Sequence, residues 1–295
     1  MTIKIANAPC SWGVDYFDDQ NNPKWENVIN EISEAGYLYS ELGPYGYFPT
    51  DYKIIKDKLD PLNLKIIGGF IFDNIHEPSQ HKIILDKIKK SCELLKNLNS
   101  NFFVIIDHIS EERMKTSGNE KNSTILDRDK YNAMCNFITD ISKISYEEYG
   151  LMPVLHPHAG SYIEYESEID NLLDSVNSNY LGLCLDTAHL YYSAVNPYNA
   201  ITKYSSKIKH MHFKDINHKI LEEVYKNKID FDSAVKMNVF CPLGSGVIDF
   251  KKILNNLDNI DYDGFATIEQ DIDPAEGLNP LEYAKQSLEF LNQKI

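Results

Sequence analysis

Short apolar runs alternate along this chain with longer stretches in which apolar positions recur every three or four residues. The first pattern predicts β-strands and the second predicts amphipathic helices with one face on a core. Strands are expected over 3–8, 37–41, 64–70, 102–106, 152–155, 181–185, 208–213 and 265–268. Between them, Trp25, Val28, Ile29 and Ile32 mark a first helix, with Gly36 placed to cap it. A second helix over 52–59 is stopped by Pro61. Ile84, Ile88, Cys92 and Leu95 mark a third, and Met134, Ile138 and Ile141 a fourth that Gly150 closes. Ile169, Leu172 and Leu173, a weaker stretch over 198–204, the segment 250–257, and Leu281, Ala284, Leu288 and Leu291 supply the rest. The segment 214–246 reads as long and irregular, and 110–126 as a second long loop.

Eight strands alternating with helices predict an α/β fold, a (β/α)8 TIM barrel. The competing architecture is a doubly wound sheet. It usually carries a G-x-G-x-x-G turn after its first strand, and Ala8-Pro9-Cys10-Ser11-Trp12-Gly13 lacks that pattern. Without internal repeats or a Pro/Ser-rich linker, residues 1–295 are expected to form a single domain. In a barrel the two long segments, which follow strands four and seven, lie on the active-site face.

Composition narrows the function. Hydrophobic residues make up 43% and charged residues 25%, which suits a globular chain. The 29 basic and 44 acidic residues give a formal net charge of -15. Such a balance repels phosphate backbones and anionic lipid surfaces, so neither nucleic acid nor a membrane is expected as a partner. A neutral small molecule, a polyol or keto-sugar, is the expected ligand. Five cysteines with no C-x-x-C pair argue for a reducing compartment rather than a disulfide framework. With no secretory leader pattern and no apolar run of roughly 18 residues, a cytoplasmic location is expected.

The chemistry is expected at the ends of the strands. Asp186 follows Leu181–Leu185, His212 ends the run from Ile208, and Glu269 follows Phe265–Ile268. Each has a simpler reading: Asp186 as a helix cap, His212 as a core-edge histidine, Glu269 as half of a salt bridge. Three polar side chains at successive strand ends favour a shared divalent cation instead. In HPHAGSYIE, either His156 or Glu164 could supply a fourth ligand, because Gly160 permits a sharp turn back toward the axis. His158 is a candidate proton carrier or supporting group. His189 is expected on the first turn of a helix over the mouth. His210 shares a strand face with His212 and is expected to be satisfied by backbone carbonyls. Lys214 is expected to offer positive charge to a substrate oxyanion, and Glu41 to point into the same mouth. Trp12 is expected to form an apolar wall against a ring. Asp271 and Asp273 read as solvated loop acids. Carboxylates and imidazoles without thiolate fit Mn, Co, Mg or Zn, with Mn or Co preferred.

On the stretches NAPCSWGV, AGYLYSELGPYGYFP, HPHAGSYIE, LGLCLDTAHL, IKHMHFKD, CPLGSGVIDF and FATIEQDIDP, in this order along the chain, the sequence resembles the xylose-isomerase-like barrel superfamily. This is the sugar phosphate isomerase/epimerase group, and within it the chain is similar to the inosose dehydratases of myo-inositol catabolism. The resemblance implies a divalent metal on Asp186, His212 and Glu269, with Glu164 the preferred fourth ligand and His156 left to contact substrate. Many members carry Glu at the end of strand five, where this chain has His156. It also implies a polyhydroxy cyclic ketone as substrate. The metal would stabilise an enediolate, and a general acid would help expel the β-hydroxyl. His158, His189 and Glu41 are then proton carriers, and Lys214 an electrostatic helper. An isomerase or epimerase of keto-sugars on the same site is the alternative. Relatives commonly form dimers and tetramers, so a homo-oligomer is compatible with the resemblance.

Overall fold

The computed structural model describes residues 3–176, 179–272 and 277–294. The barrel strands are β1 (Lys4–Asn7), β2 (Tyr39–Pro44), β3 (Lys65–Asp73), β4 (Phe102–Asp107), β5 (Met152–Leu155), β6 (Gly182–Asp186) and β7 (Ile208–Phe213). After a small antiparallel pair, β8 (Asp215–Ile216) and β9 (Phe240–Cys241), the ring is completed by β10 (Phe265–Ile268). Its order is β1-β10-β7-β6-β5-β4-β3-β2, closed and parallel throughout. The expected (β/α)8 barrel is therefore the fold.

Helices cover the outside. They run α1 (Trp25–Glu34), α2 (Tyr52–Leu59), α3 (His81–Asn97), α4 (Glu111–Met114), α5 (Arg128–Glu147) and α6 (Glu166–Ser175). Then come α7 (Thr187–Tyr192), α8 (Pro197–Lys203), α9 (His218–Asn227), α10 (Phe231–Lys236), α11 (Phe250–Asn259) and α12 (Pro280–Asn292). Two hydrophobic cores result. A large one fills the space between sheet and helices. A smaller one, built on Ala6, Ile67, Phe102, Val104, Cys184 and Phe265, plugs the barrel from its N-terminal end. The barrel is a packed interior whose polar groups gather toward its C-terminal mouth.

Two expectations about the chain path change. The segment 214–246 is not irregular: it contains β8, α9, α10 and β9. Each of its helices buries a pair at helical spacing, Leu221 with Val224 in α9 and Phe231 with Ala234 in α10. Their starts are set by the side-chain caps of Asn217 and Asp230. Strand β2 extends to Pro44, so Glu41 lies within the strand rather than at its end. All five cysteines are free. Among the described residues no helix is long and apolar enough to cross a membrane.

Candidate metal centre at the barrel mouth

Parallel strands in a closed ring end on one face, and β5, β6, β7 and β10 are neighbours in that ring. Asp186 pairs in register with His212, and His212 with Thr267. One residue past β10, the Glu269 N–H donates to the carbonyl of Phe213 (3.1 Å); one residue past β5, the His156 N–H donates to that of Ile105 (2.9 Å). The result is a buried group of four residues, His156, Asp186, His212 and Glu269. One ligand-type atom from each lies within 4.8 Å of all the others.

Asp186 serves two purposes with its two oxygens. Oδ1 accepts the backbone N–H groups of Ala188 and His189, both at 2.8 Å, and so caps α7. Oδ2 is buried without a hydrogen-bond partner, 4.0 Å from His156 Nε2. The capping reading and the ligand geometry are thus compatible. His212 Nδ1 is likewise without a hydrogen bond, although Glu269 Oε2 stands 3.0 Å away. Two buried polar atoms left unpaired beside carboxylates need an explanation. A cation sharing them supplies one, and the donor set of two imidazoles and two carboxylates suits Zn, Mn or Co. The four residues therefore fit a divalent metal.

The surrounding charges are tightly balanced. Lys214 is buried, with Nζ 2.8 Å from Asp271 Oδ1, 3.3 Å from Glu269 Oε2 and 3.6 Å from Asp186 Oδ2. Burial alone would discharge this ammonium, but Asp271, Asp186 and Glu269 outweigh it and hold its pKa above the usual value. Burial likewise opposes ionisation of Asp271, yet Lys214 holds that carboxyl well below its usual range. Asp186 is pushed up to about 6, mainly by burial and then by Glu269 against the pull of Lys214. His156 falls well below its ordinary value through burial and the neighbouring His212 and His189. His158, half-buried among the same groups, is lowered to about 4, mainly by desolvation.

A cleft of about 60 Å³ opens at this group, lined by His156, His212 and Glu269 of the four. His158, His189 and Lys214 line it. The Nδ1–H of His158 donates to the carbonyl of Ala159 (2.8 Å), while His189 Nδ1 accepts the N–H of Ala159 (3.3 Å). The second nitrogen of His189 lies 3.2 Å from Lys214 Nζ and 3.6 Å from Asp271 Oδ2.

Other placements differ from expectation. Glu164 does not join the group; His156 stands there instead. The turn at Gly160 does form, with φ +83. But the Glu164 carboxylate is turned toward the 110–126 segment. There it accepts Gly118 N–H (2.7 Å), Ser117 Oγ–H (2.8 Å), Gly160 N–H (2.9 Å) and Ser193 Oγ–H (3.1 Å). Glu41 does not line the cleft; it is bonded inside the barrel to His210, His212 and Thr267. His210 accordingly bonds a carboxylate through Nε2, not a carbonyl, and its Nδ1 has no hydrogen bond. Trp12 is packed in the outer core with its indole N–H on Glu31 (2.7 Å), so it forms no wall of the cleft. Asp271 is not a solvated loop acid but the partner of Lys214; Asp273 lies outside the described residues.

Cys10, Asp15, Phe70 and Phe72 line the cleft without having been anticipated. Phe70 and Phe72 share a face of β3 by simple alternation, which was a usable signal. Cys10 and Asp15 belong to the turn after β1, where nothing local marks them. A larger depression at the N-terminal end of the barrel, bordered by Lys4, Tyr39, Ile67 and Phe265, holds no histidine.

Fold and site together define a parallel eight-stranded barrel with its polar, ligand-rich centre at the C-terminal strand ends. The chain belongs to the xylose isomerase-like TIM barrel family, whose model matches residues 29–294. It is 30% identical to an inosose dehydratase of Bacillus thuringiensis (strain Al Hakam), over 99% of this chain and 97% of that one. Among solved structures it is similar in fold to the IolI protein with a bound zinc atom (TM-score 0.75, 16% identity, 99% and 98% of the two chains). It is similar also to the probable 3-DHS dehydratase AsbF of Bacillus anthracis (TM-score 0.74, 16% identity, 98% and 99%).

Proposed function

We propose that this protein is a divalent-metal-dependent dehydratase acting on a polyhydroxy cyclic ketone, an inosose, in inositol catabolism. The observation that carries this reading is the pair of orphaned, buried atoms, Asp186 Oδ2 and His212 Nδ1, set among His156 and Glu269. The full-length likeness to an inosose dehydratase supports the choice of substrate. His156, Asp186, His212 and Glu269 would hold the metal. When bound there, a divalent cation supplies Lewis acidity to a ketone and its neighbouring hydroxyl, easing loss of the proton α to the carbonyl.

The chain's own residues do the rest. Lys214 keeps a fixed positive charge beside the strand ends, aimed at developing oxygen charge in a site with little water. Asp271 holds that ammonium in place and keeps it charged. His158 is neutral near pH 7, so its free Nε2 can take a proton and later return it to a departing hydroxyl. His189, between Lys214 and Asp271, is the second proton carrier, with its proton on Nε2 because Nδ1 accepts from Ala159. Phe70 and Phe72 offer an apolar wall to a ring face.

The test is incubation of metal-reconstituted protein with inosose plus Mn2+ or Co2+, following the unsaturated or diketone product by ultraviolet absorbance. Product formation that a chelator abolishes supports the reading. Interconversion of keto-sugars without dehydration would reassign the site to an isomerase or epimerase, which shares the first proton transfer.

A further inference from the structure

Beneath the four candidate ligands lies a second polar layer. The pairing of β2 with β3 shifts register on both sides of Glu41. The shift turns this carboxylate into the barrel, where Glu41 is 1% exposed. Its Oε1 lies 2.8 Å from His210 Nε2, 3.0 Å from His212 Nε2 and 2.7 Å from Thr267 Oγ1. A carboxylate oxygen only accepts, so the Thr267 hydroxyl and both imidazole Nε2–H groups donate to it. From below, Phe102 stacks on His210 with ring centroids 4.7 Å apart.

This arrangement fixes the chemistry of His212. With its proton held on Nε2, the nitrogen turned to the mouth is Nδ1. That atom has no hydrogen bond, and it faces Glu269 Oε2 at 3.0 Å. An imidazole lone pair against a carboxylate is repulsive unless a proton or a cation lies between them. Glu41 itself does not line the cleft.

We infer that Glu41 is a positioning residue: from inside the barrel it holds the Nε2–H tautomer of His212 and so presents Nδ1 as the metal-binding atom. This rests on the metal reading above. A carboxylate behind a ligating imidazole orients the ring and strengthens it as a donor, and its loss typically weakens metal binding about 10- to 100-fold.

Zn2+ is the probe, titrated in competition with a chromophoric chelator. Glu41→Gln keeps the side chain's shape and removes its charge; it is expected to weaken Zn2+ binding by about 10- to 100-fold. A folded Glu41→Gln protein that binds Zn2+ within twofold of wild type overturns the inference. Long-range proton–nitrogen NMR spectra of the Zn2+-loaded wild type decide the matter even if the variant does not fold. The expected pattern is a proton on His212 Nε2 and the metal on Nδ1. Metal on Nε2 overturns the inference while leaving the metal centre standing. Failure of the wild type to take up one Zn2+ overturns the metal centre itself, and the inference with it.

Discussion

Two buried carboxylates, Glu164 and Asp186, lie at the same end of the barrel and have opposite surroundings. Glu164 accepts four hydrogen bonds from Ser117, Gly118, Gly160 and Ser193, and the Arg113 guanidinium stands 3.5 Å away. Arg113 in turn forks onto Glu168 at 2.6 and 2.9 Å. Both oxygens there have donors supplied by the protein, which stitches the 110–126 segment to the segment after β5. Asp186 spends one oxygen on a helix cap and leaves the other bare, facing His156 and Lys214. A satisfied buried carboxylate is part of the frame. An unsatisfied one among other ligand atoms is poised to take a cation.

The strongest way to break this contrast is Asp186→Ala. It should abolish retention of a divalent metal and lower turnover about 10³-fold or more, since Lewis-acid stabilisation is worth several kcal/mol. Metal analysis and product absorbance on the same sample check both, and retained activity defeats the ligand assignment. Lys214→Met comes next. Removing a preorganised positive charge should cost about 10²- to 10³-fold in turnover while the metal is kept, a split read by running both assays.

Glu164→Gln probes the other side. It removes one acceptor from a buried network and should destabilise the fold by about 1–3 kcal/mol, seen in thermal or denaturant unfolding. Metal content and turnover per folded molecule should stay near wild type; loss of the metal would return Glu164 to the ligand set. The pH dependence sharpens the picture further. Burial holds His158 neutral above a pKa of about 4. Its ring NMR signals should therefore stay flat from pH 8 to 6 and move only as pH falls through that value. Titration near 6.5, the ordinary histidine value, would mean that the mouth is wetter than the structure shows. Trp12→Phe should have the smallest effect. It loses the bond to Glu31 at roughly 1 kcal/mol and should leave KM for inosose unchanged.

Much of the architecture could be read from the chain. Strands β5, β7 and β10 and helix α2 fall where hydrophobic spacing places them, because each buries a regular apolar stripe. The short helices α9 and α10 were missed although each carries a buried pair at helical spacing, Leu221 with Val224 and Phe231 with Ala234, behind an Asn or Asp cap. At the site, Asp186, His212 and Glu269 stood out because a polar side chain closing an apolar strand is a local signal. Glu164 misled because its donors Ser117, Gly118 and Ser193 are remote in sequence. Glu41 misled because register shifts in β2 decide where it points. Asp271 was unreadable because its partner Lys214 lies 57 residues away.

Sequence alone determined the barrel and the strand ends that meet at its mouth, because strand period, helix period and parallel closure follow from short-range patterns. Only the tertiary structure decided which buried acids are paired and which are left open. The reason is physical: a carboxylate's role depends on the donors that other segments bring to it, and no local pattern records those.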